Sequence, residues 1–332
     1  MLNPNQKLNP KLFDKDVEQI PIRKGFGEGL LEAGEKNSDI VGLSADLTES
    51  TQMHLFKNKF PERFIEVGIA EQNLASVASG LSAMGKIPFI SSFAAFSPGR
   101  NWEQIRTTIC YNNRPVVLIG SHAGFSDGSD GGTHQALEDI ALTRVLPRMT
   151  VISPCDSIEA RKATLAAAES GGVVYIRLLR EKTPVITTTD SPFEIGKAQL
   201  YYGEEKAKAD VGIVATGSLV YKALKVAENL KKENISAKVL NVATIKPLDI
   251  DVLVSLAKTC GAIVTVEEHQ IACGFGSAVA EVLSQNFPVP MEFIGVKDQF
   301  GQSGTPNELL EYYEIGESHI LFAVKKVIGR KN

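Results

Sequence analysis

Long apolar runs are missing from this sequence. No stretch of about 18 apolar residues, the length that spans a bilayer as a helix, occurs in the 332 residues. The N-terminal MLNPNQKLNP is polar and proline-bearing, with no apolar core of a secretory leader. Cysteine is scarce: the four residues Cys110, Cys155, Cys260 and Cys273 lie far apart and form no CxxC pair, which excludes a disulfide-stapled miniprotein. They read as buried free thiols of a reducing cytosol, so the expected location is cytoplasmic. An excess of either charge is also lacking. Lys+Arg 35 against Asp+Glu 39 gives a net charge of −4, and with 43% hydrophobic and 22% charged residues this is the balance of an ordinary soluble globular enzyme. Neither nucleic acid nor an anionic membrane is called for as a partner.

What is present is a double alternation. From Arg23 to Leu179, the apolar runs DIVGLS, FIEV, IPFISS, PVVLIGS, MTVIS and VVYIRLL alternate with amphipathic segments such as Glu71–Met84, Pro98–Tyr111 and Ser157–Glu169. Runs rich in Val and Ile separated by helices predict a parallel sheet covered on both faces. Between Arg180 and Asp210 the pattern breaks into a Thr-, Pro- and charge-rich stretch, read as a linker plus an edge element. A second alternation follows through VGIVATG, AKVLNVATIKP, AIVTVEE and MEFIGVKD, with helices between and two more at the end. The expected fold is therefore α/β, two doubly wound domains, a six-stranded mainly parallel sheet followed by a smaller five-stranded mixed one. That agrees with a prior of roughly two domains at about 150 residues each.

Nucleotide fingerprints fail on context. Gly25-Phe26-Gly27-Glu28-Gly29 lies early on a helix with no strand before it, Gly274-Phe275-Gly276-Ser277-Ala278-Val279 ends in Val where a small residue is needed, and no GxxxxGK[ST] exists. The loop Asp127-Gly128-Ser129-Asp130-Gly131-Gly132 only faintly resembles a calcium loop, since its fifth position is Gly131, without a side-chain oxygen. His122 and His134 bracket that loop. It follows the run PVVLIGS, and open parallel sheets bind ligands at the carboxyl ends of their strands, so a functional loop is favoured over a merely polar one.

The most informative segment is Arg63-Phe64-Ile65-Glu66-Val67-Gly68-Ile69-Ala70-Glu71-Gln72-Asn73, a strand, a Gly turn and a helix opening on a carboxylate. Taken alone, Glu71 is a helix N-terminal Glu stabilised by the dipole. RFIEVGIAEQN, then Phe93 and Phe96 in SSFAAF, then DGGTHQ, VEEHQIACGFGSAVAE and VKDQFGQSG occur in one order, and that series resembles the pyrimidine-binding and C-terminal domains of the transketolase family. The resemblance runs from about Arg23 to Gly304. It implies a thiamine pyrimidine-binding domain over 18–182, a linker over 183–195 and a transketolase C-terminal domain over 196–330.

The resemblance also implies roles. The cofactor would be thiamine diphosphate, and Glu71 matches the glutamate that hydrogen-bonds pyrimidine N1′ and favours the imino tautomer that deprotonates C2. Water-excluding neighbours Ile69 and Leu74 suit that task. Phe96 matches the residue stacked on the pyrimidine and Phe93 its neighbour, although both also fit a core position after a strand. Asp46, in LSADLTES, matches an aspartate near the thiazolium, and Leu47 is taken with it as cofactor-binding. Sugar phosphates are the implied substrates. Arg23, Ser50, His122 and Arg177 match phosphate-anchoring positions, while Asp130 and His134 match residues facing substrate hydroxyls and the reacting carbonyl. Glu71 and His134 are the implied catalytic pair. Arg177 at the end of VVYIRLL also fits a solvated charge. Gly274 and Gly276 read as a tight turn, and Glu267 and His269 as packing near a subunit interface.

The family's metal-diphosphate site, a GDG followed later by NN, is missing, and the one Asn-Asn pair, Asn112-Asn113, is misplaced for it. The chain therefore looks like the C-terminal subunit of a split transketolase, with no metal ligands of its own. It would need an N-terminal partner subunit carrying GDG…NN and Mg²⁺ (or Ca²⁺), as an α2β2 heterotetramer with the active site at the interface. Gly99, where many relatives have an aromatic, and Gly132, where Pro is common, depart from the pattern. The competing expectations are the β subunit of a 2-oxoacid dehydrogenase, a deoxyxylulose-phosphate synthase fragment, and a non-catalytic regulatory or scaffold subunit. The Arg23/His122/Arg177 set favours sugar phosphates over a short oxoacid, and retention of Glu71, Phe96 and His134 argues against an inert scaffold.

Overall fold

The computed structural model describes residues 1–331. In chain order the first part carries β1 (Gln19–Pro21), α1 (Ile22–Lys36), β2 (Ile40–Ser44), α2 (His54–Lys59), β3 (Phe64–Glu66), α3 (Glu71–Ala83), β4 (Ile87–Phe93), α4 (Trp102–Gln104) running on as a π-helix (Ile105–Tyr111), β5 (Val116–Ser121), α5 (Asp139–Arg144), β6 (Met149–Ile152), α6 (Ser157–Glu169), β7 (Val173–Arg177) and β8 (Lys182–Pro184). The second part carries β9 (Gln199–Tyr202), β10 (Val211–Ala215), α7 (Leu219–Lys232), β11 (Ala237–Asn241), β12 (Thr244–Lys246), α8 (Ile250–Cys260), β13 (Ile263–Gln270), α9 (Phe275–Asn286), β14 (Met291–Val296), α10 (Pro306–Tyr312) and α11 (Glu317–Ile328). None of the described helices is long and apolar enough to cross a membrane.

Several of the apolar runs become strands buried along their whole length, as in IVGLS of β2, VVLIGS of β5 and VVYIR of β7. Such strands have no wet face, so helices must cover both sides. The first sheet has the order β12-β6-β7-β5-β4-β2-β3. Six of these strands are parallel, as expected. The seventh, β12, is antiparallel to β6 and belongs to the second alternation. The expectation of one strand across 237–247 therefore fails: the chain leaves the second sheet after Asn241 and crosses to the first, where Ser153 N–H donates to Ala243 O. The second sheet, β14-β13-β10-β11-β9, is the expected mixed five, with only β9 antiparallel.

The glycine run that opens α1 is explained by packing. A short strand, β1, does precede it, but β1 pairs with β8 and lies outside both main sheets. A Cβ on Gly25 would stand 1.7 Å from Ser157 O at the start of α6, so glycine is what lets the two helices touch there. Nothing in that arrangement frees a helix N-terminus for a dinucleotide.

Where the two parts meet, Arg177 is buried at the end of β7. Its Nε donates to Asp139 Oδ2 at 2.9 Å, and its guanidinium also donates to Glu268 O at 2.8 Å. Tyr175 Oη donates to the same Asp139 carboxylate at 2.8 Å. Glu268 of β13 in turn accepts from Phe125 N–H at 2.7 Å and from Ser218 Oγ at 3.1 Å. One buried ion pair thus joins β7, α5, the loop after β5 and the second sheet. Breaking such a pair from one side leaves a buried charge uncompensated, at a cost of about 3–5 kcal/mol. Asp139→Ala is expected to lower the unfolding free energy by that amount, read from urea titration, and Asp139→Leu with Arg177→Met to recover most of it. A loss below about 1 kcal/mol in the single variant would show that the junction does not depend on the pair.

Candidate active site

The site forms beyond the carboxyl ends of β2, β4 and β5, which lie side by side in parallel register. Phe93 is the last residue of β4, and the chain turns at once, with Phe96 N–H donating to Phe93 O. That turn brings the Phe96 ring to 6.0 Å from Phe93, nearly parallel at 19°. From the end of β5, His122 lays its ring on Phe93 at 3.8 Å, and His134 approaches Phe96 edge-on at 5.4 Å. Two aromatic rings and two imidazoles therefore share one pocket wall. His122 adopts a positive φ of 57°, which turns its side chain back over the sheet end.

Glu71 is the first residue of α3 and only 2% exposed. Its Oε2 accepts from Arg100 Nη1 at 2.8 Å, and its carbonyl accepts from Asn101 Nδ2 at 3.0 Å. Arg100 also lies over the Phe96 ring, 4.9 Å from its centre. Gly68, at φ +70°, makes the turn into this helix, and Gly68 N–H donates to Glu66 Oε1. The same carboxylate accepts from Asp46 N–H at 2.8 Å and from Thr48 Oγ1 at 3.0 Å. Glu66 therefore couples the Asp46–Leu47 loop to the Glu71 helix, a role the sequence reading missed; its place between two loops at the strand ends was the available signal. Leu74 is buried as expected, whereas Ile69 is 74% exposed and seals nothing. Asp46 is exposed and Leu47 half-buried at the mouth.

At the other end Arg23, on the first turn of α1, donates to Ser50 O and stands 3.5 Å from His122 Nε2. Ser50 contributes its carbonyl, which orients the arginine. The second cation here is Arg180, not Arg177. Arg180 bonds Asp127 Oδ1 at 3.0 Å, and its charge, with that of Arg23, acts on His122. Arg177 lies inside the apolar run VVYIRLL and is consumed by Asp139, so it is neither a solvated charge nor free for an anion. Arg180, just past the last apolar residue, is where a strand-end ligand group belongs. Burial first, then Arg23 and Arg180, push the His122 pKa down to about 3, so this imidazole is neutral at pH 7. Burial and Asp130 raise the Asp127 carboxyl. Asp130 is exposed on the same loop, and His134 is half-buried with Nδ1 2.9 Å from Thr133 Oγ1.

The remaining singled-out residues lie elsewhere. Glu267 accepts from Phe275 and Gly276 N–H at the start of α9, and a Cβ on Gly274 would stand 2.3 Å from its Oε2, so this glycine pair serves a tight turn. Burial pushes Glu267 up to about 8 despite those donors. His269 is fully buried rather than at a surface; its Nδ1–H faces Gln270 O and its Nε2 accepts from Ala141 N–H. Cys110, Cys155 and Cys260 are buried, but Cys273 is exposed. Among the described residues no group of three or more His, Cys, Asp or Glu is placed to hold a metal.

An α/β protein with a buried carboxylate and stacked aromatics beyond the carboxyl ends of parallel strands has its candidate site where open sheets bind ligands. Two family models match: the transketolase pyrimidine-binding domain over residues 18–185 and the transketolase C-terminal domain over 201–320. The chain belongs to the transketolase family and is the C-terminal subunit of a split transketolase. It is 44% identical over 90% of its length to a putative transketolase C-terminal section of Methanocaldococcus jannaschii, covering 93% of that protein. It is 40% identical over 96% of its length to a 6-deoxy-6-sulfo-D-fructose transketolase subunit of Clostridium sp. strain MSTE9, covering 98% of it. Among solved structures, a split-gene transketolase described as an inactive β4 tetramer superposes with a TM-score of 0.87 at 46% identity, over 94% of this chain and 100% of that one.

Burial pulls the His269 pKa down to about 4 from 6.5. An imidazole held neutral in the folded chain binds its proton only after unfolding, so it costs stability as pH falls from 6.5 toward 4. His269→Gln is expected to remove about 1–2 kcal/mol of the stability lost between pH 7 and pH 5, read from urea midpoints at the two pH values. An identical acid loss in the variant would mean that His269 is already protonated in the folded chain at pH 5.

Proposed function

We propose that this chain is the cofactor-activating half of a two-chain transketolase, moving a two-carbon ketol unit between a ketose phosphate and an aldose phosphate. The single observation that carries the reading is the Glu71 carboxylate, 2% exposed at the start of α3 and linked to the Phe96 ring through Arg100. A buried carboxylate and an aromatic plane so linked suit a flat nitrogen ring with a donor on its edge, so the residues present fit the aminopyrimidine of thiamine diphosphate. When bound, that cofactor supplies a nucleophilic carbon for ketol transfer. Glu71 holds a proton at the ring edge, Phe96 and Phe93 set the ring plane, and the Asp46–Leu47 loop closes the mouth. His134 points its imidazole edge into the same space and is assigned to the reacting carbonyl, with Asp130 reading substrate hydroxyls.

The far end is assigned to the substrate's terminal anion. Arg23 and Arg180 supply two planar cationic forks, and His122, being neutral, supplies a hydrogen bond rather than a third charge. The domains are read as 18–182 and 196–330 about a 183–195 linker. Mg²⁺ or Ca²⁺ and the diphosphate are assigned to the partner subunit with GDG…NN. An α2β2 assembly in the cytoplasm completes the reading, and the solved relative, an inactive β4 tetramer, supports partner-dependence.

Mixing this chain with such a partner, Mg²⁺ and thiamine diphosphate is expected to give ketol transfer, and the chain alone none; activity of the lone chain would overturn the split-enzyme reading. In the assembled enzyme, Glu71→Ala should slow hydrogen–deuterium exchange at the cofactor C2 by about 10²–10⁴-fold, and unchanged exchange would strip Glu71 of its role.

Arg180→Ala is expected to raise KM for a phosphorylated acceptor roughly 10–100-fold, the worth of a charged hydrogen-bonding pair, while sparing the unphosphorylated sugar. A sulfonate presents the same three-oxygen face, as the name of the Clostridium relative suggests for that protein, so a sulfosugar is assayed alongside. Equal losses on charged and uncharged sugars would dismiss Arg180 as the anchor.

A further inference from the structure

Arg100 has no role of its own in the reading above, yet it touches both groups that the reading assigns to the cofactor's ring. Its Nη1 donates to Glu71 Oε2 at 2.8 Å, and its guanidinium carbon lies 4.9 Å from the centre of the Phe96 ring. A guanidinium is flat, edged with N–H donors and inclined to lie on aromatic faces. In shape and bonding it satisfies the same demands as a flat heterocycle that offers an edge donor to a carboxylate.

We infer that Arg100 is a built-in stand-in for the aminopyrimidine: it pairs with Glu71 while lying over the Phe96 ring, and must swing out before the cofactor's ring can take that place. The inference rests on the proposed thiamine function and adds a residue to it. Burial gives the reason. Glu71 is 2% exposed, so without a partner its charge would stand uncompensated, and Arg100 is the cation paired with it among the described residues. The arginine side chain is itself 51% exposed, so it can leave by side-chain rotation toward water. Its anchor stays behind: Arg100 N–H donates to Phe96 O, and Asn101 holds both Glu71 O and Ser97 Oγ. Displacing the pair makes cofactor binding weaker than Glu71 and Phe96 alone would allow, because the competent state is only a fraction of the unloaded population. A lysine here would keep the charge without the flat face.

The test uses the assembled two-chain protein with Mg²⁺ and measures the Kd of thiamine diphosphate by calorimetry for wild type, Arg100→Met, Arg100→Lys and Glu71→Ala. Arg100→Met is expected to bind roughly three- to ten-fold more tightly than wild type, the range expected for a half-exposed pair, with Arg100→Lys between them. The gap between wild type and Arg100→Met should narrow at high salt, which screens the pair. Fold retention is read from the emission of Trp102, the one tryptophan in the chain, which donates to Leu142 O two residues beyond Arg100. Equal or weaker binding by Arg100→Met, while Glu71→Ala still loses affinity, would overturn the stand-in and leave the thiamine reading intact. Failure of wild type and Arg100→Met alike to bind thiamine diphosphate would overturn both.

Discussion

The buried pair between Arg177 and Asp139 is the constraint from which the site's geometry follows. It stands where four separate pieces of chain meet: the end of β7, the start of α5, the loop after β5, and β13 of the second sheet. Glu268 extends the link, its carbonyl bound to Arg177 and its carboxylate to Phe125 N–H and Ser218. Gly124, at φ +64°, is part of the same contact, because a Cβ there would stand 2.2 Å from Glu268 Oε1. The loop that carries His122 at one end and His134 at the other is thereby held against the second domain rather than left to move over the sheet. Such buried pairs contribute little net stability against an apolar alternative, so geometric definition is the better account of this one.

With the loop fixed, the site separates into two electrostatic ends. Glu71 sits at the positive end of α3 with one arginine beside it, whereas Arg23 and Arg180 flank an imidazole that burial first, and then their charges, keep neutral. A protonated His122 between two arginines would repel them, and its neutrality is what lets two cations share one small space. The aromatic rings link the two ends, Phe93 stacking on His122 and Phe96 lying under the arginine paired with Glu71. The chain's net charge of −4 gives no hint of this division.

Much of this was legible in the sequence wherever the signal was local. Val- and Ile-rich runs specify strands buried on both faces, and six of the seven strands of the first sheet were read in that way. The seventh was not, because VATIKP continues the apolar character of AKVLN and nothing in the residues announces that the backbone changes sheets between them. Arg177 and Arg180 differ by three positions, and the resemblance alone selected Arg177, which the structure buries against Asp139. Burial context separates them: a charge flanked by Ile176 and Leu178 must be paired inside, while one beyond Leu179 can face a ligand. Glu66 was missed for the opposite reason, its position at a strand end being only a weak signal. Its partners are backbone N–H groups of two loops that meet only after β2 and β3 pair.

The walls around Glu71 carry the last step. α3 buries Leu74, Ala75 and Ala78 along with Glu71, so the inner side of the helix is apolar. The outer side is open: Ile69, two residues before Glu71, is 74% exposed, and Arg100, paired with Glu71, is half in water. A carboxylate that must hold a proton at the edge of a bound ring needs a low dielectric on every side, because water favours its charged form. This chain provides that environment on the inner side alone. A site so constructed is chemically one-sided until something apolar covers Ile69, and under the proposed function the bound ring and the partner subunit are what would supply the missing wall.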